Sequence, residues 1–134
     1  MSYRLFWIIG LLLLTACSNP ITSDRRQQSL DKTLWSYEQS MRWDELYKIW
    51  SFQSESVRQQ HPPPEGLENI QVTGYEQLER PLPLEDGQIQ VIVRIRYIER
   101  DRQVVRERID RQLWEYHSAS NRWLRSNPIP HFTR

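Results

Sequence analysis

Few side chains in this 134-residue sequence are suited to chemistry: one cysteine, Cys17, and three histidines, His61, His117 and His131. A cysteine thiolate is the strong nucleophile among ordinary side chains, and so a natural site of covalent modification. No histidine has a second histidine or cysteine at ligand spacing, so no metal site is indicated. Asp110 and His117 have the makings of an acid–base pair. However, residues seven apart on a strand face opposite sides, and Arg94 offers Asp110 an ion-pair partner. No G-x-S-x-G elbow or phosphate-binding loop is present, and the chain has only four glycines. No catalytic residue is indicated, and the expectation is a protein that is not an enzyme.

Two sets of residues suit binding instead. Trp50, Tyr75, Tyr97 and Trp114 are placed to line a cavity between helices and sheet, although such aromatics more often form the core itself. Arg94, Arg96, Arg106 and Arg108, interleaved with Glu99 and Glu107, read as the outer face of a sheet. They suit docking of a carboxylate- or phosphate-bearing partner such as a protein, peptidoglycan or lipopolysaccharide. The plainer reading, a solvated face whose charge blunts edge-to-edge pairing, is preferred.

The N-terminus must be set apart before the fold is read. Arg4 precedes an unbroken apolar run, Leu5 to Leu14, about 15 Å long as a helix. That is half a bilayer core and matches the apolar region of a secretory signal. Small residues follow at Thr15 and Ala16. Leu14-Thr15-Ala16-Cys17 resembles the lipobox (LTAC) of bacterial lipoproteins. The resemblance implies cleavage before Cys17, diacylglycerol on its thiol and an acyl chain on its new amine, with no other cofactor. A secretory signal with a chance cysteine, or an N-terminal membrane anchor, is the alternative. Lipidation also accounts for an unpaired cysteine in an exported chain, and several acyl chains anchor far better than one. Ser18 follows the cysteine rather than Asp. By the sorting rule of the enterobacterial members, this implies the outer membrane, with the domain facing the periplasm; the inner membrane is the alternative.

Without residues 1–16 the chain is long enough for one domain with one core. Loss of Arg4 leaves equal numbers of basic and acidic residues, so no basic field draws in nucleic acid. With Cys17 lipidated there is no disulfide, and packing must hold the domain together. Trp35, Trp43, Trp50, Trp114 and Trp123 supply large apolar surfaces for this. Sixteen arginines stand against two lysines; base composition explains such a skew as readily as bidentate anion recognition does.

Residues 18–28 are polar and without an apolar face, so 17–28 reads as lipidated cysteine and flexible tether and 29–134 as the domain. Ser29 offers an N-cap and Asp31 a favourable first-turn charge. Leu30, Leu34, Tyr37 and Met41 share one helical face. A break near Arg42-Trp43, with Asp44 capping a second helix through Leu46, Tyr47 and Trp50, is preferred to one unbroken helix as far as Phe52. The prolines of His61-Pro-Pro-Pro-Glu-Gly66 exclude regular structure. Beyond them the period becomes two. Ile70 and Val72 open a strand with a bulge at Gly74, and Pro81 and Pro83 end it. Asp86-Gly87 turns into a strand burying Ile89, Val91, Val93, Ile95 and Tyr97, with Arg94 and Arg96 opposite. In the next hairpin a three-residue loop would pair Ile95 with Ile109, Val91 with Leu113 and Arg94 with Asp110. That register keeps the apolar face apolar and is preferred to one pairing Ile95 with Arg108. A last strand runs through Trp123-Leu124, and Pro128 to Phe132 packs along an edge.

The expected class is α+β: one or two N-terminal helices on a curved, mainly antiparallel sheet of about four strands. This resembles the NTF2-like and cystatin-like folds. Tyr37 followed by Trp43-Asp44, Gln112-Leu-Trp-Glu-Tyr116, and Asn121-Arg-Trp-Leu before a proline are similar to small uncharacterised proteobacterial lipoproteins. The resemblance implies a lipid-anchored envelope protein that acts by binding, as an adaptor or accessory of an envelope assembly with an envelope protein as partner. A small-ligand-binding cone module is the alternative. Fold likeness cannot choose between them.

Overall fold

A computed structural model describes residues 20–43 and 46–132. The signal segment, Cys17 and the Asp44 cap lie outside the described residues.

Helix α1 spans Pro20–Arg42. Proline is well suited to a first helical turn, where its missing N–H has no intrahelical partner to lose. Ser29 is therefore mid-helix rather than a cap, and most of the expected tether is helical. It is also held: the Trp123 indole donates to the Arg26 carbonyl at 3.0 Å, and the Arg26 guanidinium sits 4.8 Å from the centre of the Tyr116 ring. Leu30, Tyr37 and Met41 are buried and Leu34 packs against them, as their spacing predicts. The helix breaks at the expected place. A short helix α2 (Leu46–Ile49), a 3-10 turn (Trp50–Phe52) and a further helix α3 (Glu55–Gln60) follow. Trp35 and Trp43 are 63% and 71% exposed, so they are not the core residues expected of them.

The sheet has five strands: β1 (Ile70–Gln77), β2 (Leu82–Pro83), β3 (Ile89–Glu99), β4 (Val104–His117) and β5 (Arg122–Arg125). The spatial order is β1-β3-β4-β5, with β2 alongside β3 beyond the end of β1. All strand pairs are antiparallel. A bulge between Val72 and Gly74 lets Val72 and Tyr75, three residues apart, both face inward opposite Tyr97 and Ile95. Gly87, at φ 79°, closes the turn into β3. On β3, Val91, Val93, Ile95 and Tyr97 are buried against α1 and its neighbours; each is worth about 1.5–3 kcal/mol of burial.

The β3–β4 register differs from expectation. Ile95 pairs with Arg108, Val93 with Asp110 and Val91 with Gln112, while Arg94 lies opposite Ile109. Gln103, at φ 54°, takes the left-handed position in the turn, and its N–H reaches the Glu99 carbonyl at 2.7 Å. Hydrophobic alternation lost because polar groups of β4 have buried partners on the inner face: Arg106 pairs with Glu99, and Asp110 with Arg125. The C-terminal tail also goes deeper than an edge. Ile129 and Phe132 are buried, and the Phe132 ring meets Tyr97 edge-to-face at 5.1 Å.

Candidate functional site

Alternation along β4 puts Asp110, Gln112 and Trp114 in a row on the inner face, and Trp123 and Arg125 share the inner face of β5. There Arg125 is 1% and Asp110 4% exposed. The guanidinium grips the carboxylate through two bonds of 2.9 and 2.7 Å. Its remaining donors reach the Tyr37 hydroxyl at 2.8 Å, the Pro128 carbonyl at 2.7 Å and both oxygens of Asn127 at 3.1 Å. Gln112 donates to Asp110 and to the Tyr75 hydroxyl, each at 3.0 Å, and accepts from the Trp114 indole at 3.0 Å. Tyr37, Phe52 and Trp114 close the cluster edge-to-face.

The electrostatics follow from the enclosure. Burial pushes the Tyr37 hydroxyl well above the usual tyrosine range, with Arg125 opposing. Burial does the same to Tyr75, whose hydroxyl accepts from the buried Gln112. Burial works against the charge of Arg125, but the Tyr37 oxygen and the Asp110 carboxylate outweigh it and hold the proton more tightly. Every donor of Arg125 is used, so its guanidinium is committed to the fold. It organises what surrounds it.

Beyond Asn127 lies a cleft of about 380 Å³ between the proline loop and the C-terminal tail, lined by His61, Pro62 to Pro64, Glu65, Gln53, Pro128, Ile129 and His131. Arg125 holds the tail wall through Asn127 and Pro128. Gln53 forms the floor, joined to β5 by a parallel bridge to Arg125. Gln53 is 1% exposed; its amide nitrogen makes a long contact of 3.4 Å to the Asn127 carbonyl, and its Oε1 has no partner. A buried acceptor left unpaired costs about 1–3 kcal/mol.

The expected binding residues are dispersed. Tyr97 and Trp114 are sealed in the core, Tyr97 donating to the Phe132 carbonyl at 3.0 Å. Trp50 donates to the His61 carbonyl at 3.0 Å and stacks with Arg58. Tyr75 borders a separate cleft of about 270 Å³ beside Leu34 and Trp35. The four arginines divide between two faces. Arg94 and Arg96 are on the outer face, pairing with Glu76 and Glu107; Arg106 and Arg108 lie opposite Tyr97 and Ile95 on the inner side. Asp110 and His117 face opposite sides by strand parity. Among the described residues no cluster of three His, Cys, Asp or Glu side chains could hold a metal ion, and no helix is long and apolar enough to cross a membrane.

Sequence reasoning missed Arg125 and Gln53, and placed Tyr37 only on the apolar face of the helix. For Arg125 a signal exists: alternation puts it on the same face as Trp123, so a buried arginine needs a carboxylate on β4. No protein-family model, curated protein or solved structure matches this chain.

Proposed function

We propose that this chain is a lipid-anchored bacterial envelope protein that acts by binding, as a small adaptor or accessory of a larger envelope assembly. The observation that carries the reading is Leu14-Thr15-Ala16-Cys17 directly after an apolar run. Pro20, three residues after Cys17, is already helical, so the domain would sit close to the membrane surface. Confinement of that kind raises the effective concentration of a partner in the same membrane. Ser18 supports the outer membrane, with the domain in the periplasm. Helices on one face of an antiparallel sheet suit an NTF2-like or cystatin-like classification.

The test is to crosslink a C-terminally tagged chain in its native envelope and identify what co-purifies. Cys17→Ser behind a cleavable non-lipid signal serves as the control. A stoichiometric partner lost in the control is expected. Cys17→Ser on the native signal should also lose acyl labelling, and an unchanged labelled band would refute the anchor. A second reading, a small-ligand module, is favoured by the proline-loop cleft, which Gln53 helps to line. It would gain from a compound panel that stabilises the wild-type chain and not Gln53→Leu.

A further inference from the structure

The charges of α1 are segregated. By helical periodicity Arg25, Arg26, Ser29, Lys32 and Ser36 form one stripe beside the buried face, while Asp24, Asp31 and Glu38 line up on the other side. The cationic stripe lies against the turn between β4 and β5. There the Trp123 indole donates to the Arg26 carbonyl, the Arg26 guanidinium sits over the Tyr116 ring, and the Tyr116 hydroxyl donates to Asn121 at 3.0 Å. Two clefts flank this contact. One of about 500 Å³ is bordered by Arg25, Arg26 and Ser118, and one of about 320 Å³ by Lys32, Ser36 and Arg122. No carboxylate lines either cleft. Arg25, Arg26, Lys32 and Arg122 are all exposed, and none joins an ion pair among the described residues.

Charge and position together select the occupant. The stripe begins near the end of the chain that carries Cys17: Arg25 is about 8 Å of helix beyond Pro20. We propose that this stripe, with Arg122, is the surface by which the domain lies on its membrane, the four cations meeting the phosphates of anionic phospholipid headgroups. The inference depends on the lipid-anchored reading for the membrane within reach. Guanidinium groups match phosphate oxygens through paired hydrogen bonds, and Lys32 adds a point charge. Basic residues held beside an anionic leaflet are attracted over about a Debye length. In this pose Asp24, Asp31 and Glu38 are turned away from the headgroups. None of the large exposed apolar side chains lines either cleft, so the surface lacks the apolar centre of a protein interface and suits a charged headgroup layer. The bonds from Trp123 and Tyr116 hold the helix and the turn together before any contact, which lowers the ordering cost of binding. An anchor at Cys17 supplies the confinement, so the surface orients the domain without having to bind tightly alone.

The test separates the surface from the anchor. The Cys17→Ser chain, exported behind a cleavable non-lipid signal, is sedimented with vesicles of phosphatidylglycerol and phosphatidylcholine in equal parts, or of phosphatidylcholine alone. It should bind the anionic vesicles at low salt, release them at high salt and ignore the neutral ones. Adding Arg25→Glu and Lys32→Glu should weaken binding by about tenfold or more. Arg25→Gln with Lys32→Gln, which keeps good helix formers in place, should fall between. Arg80→Glu with Arg111→Glu makes the same change in net charge on exposed arginines away from the stripe and should leave binding intact. Equal binding to both kinds of vesicle would overturn the proposal, as would equal loss in the two charge-reversed pairs. Acyl labelling of the wild-type chain is read separately. Labelling without a preference for anionic vesicles sinks this surface and leaves the anchor; the preference without labelling sinks the anchor and leaves the surface.

Discussion

On the inner face of the sheet, Asp110 and Arg125 meet at 2.7 Å with side chains 4% and 1% exposed. On the outer face, Arg94 and Arg96 reach Glu76 and Glu107 at 3.1 to 3.7 Å with a third to a half of each side chain in water. The residue types are the same and the physics is not. The inner pair has left solvent and depends on each partner to offset that loss. The outer pairs exchange water for one another at little gain and are screened by salt. An arginine count says nothing about which kind a sequence contains.

The comparison is broken most severely from the inside. Asp110→Ala leaves Arg125 buried without its counter-charge and should lower stability by about 3–5 kcal/mol, read as a fall in the urea midpoint at unchanged slope. Asp110→Leu combined with Arg125→Met should recover most of that loss, because the cost lies in the orphaned charge. Recovery would also separate folding energy from the geometry of the tail, which Arg125 holds through Asn127 and Pro128.

Tyr37→Phe removes one acceptor from the guanidinium and should cost about 1.5–3 kcal/mol, as for a hydrogen bond to a charged group, measured in the same way. Its pH dependence sharpens the contrast. Burial raises the folded-state pKa of Tyr37 and of Tyr75, so unfolded chains lose these protons first. Stability should be fully present below about pH 10, the ordinary tyrosine value, and decline as pH rises above it. Tyr37→Phe should shallow that decline in a denaturation series from pH 8 to 11.

The smallest effect belongs to the outer face. A double-mutant cycle on Arg94→Ala and Glu76→Ala should return about 0–1 kcal/mol and shrink further in high salt. A coupling as large as that expected for the inner pair would erase the distinction between the two faces.

Much of the fold was legible because it depends on neighbours in sequence. The spacing of Leu30, Leu34, Tyr37 and Met41 defines a helical face, the alternation from Ile89 to Tyr97 defines a buried strand face, and Gly74 and Asp86-Gly87 mark a bulge and a turn. Little of the candidate site was legible. The prolines and His61 stand out as a loop, but Gln53 beneath them looks like any polar residue. Tyr97 and Trp114 are expected to line a cavity and are instead buried in the core; no pattern in the chain says whether such aromatics line a cavity or fill it.

The sequence by itself determined where the chain turns and which face of each element is apolar, because backbone preference and side-chain period act over a few residues. Tertiary structure alone decided the β3–β4 register, the exposure of Trp35 and Trp43 and the attachment of the first turns of α1. Each depends on what lies across the fold. Asp110 turns inward because Arg125, fifteen residues later and on another strand, is there to receive it; buried charge is tolerated only in pairs, and no local pattern encodes the partner.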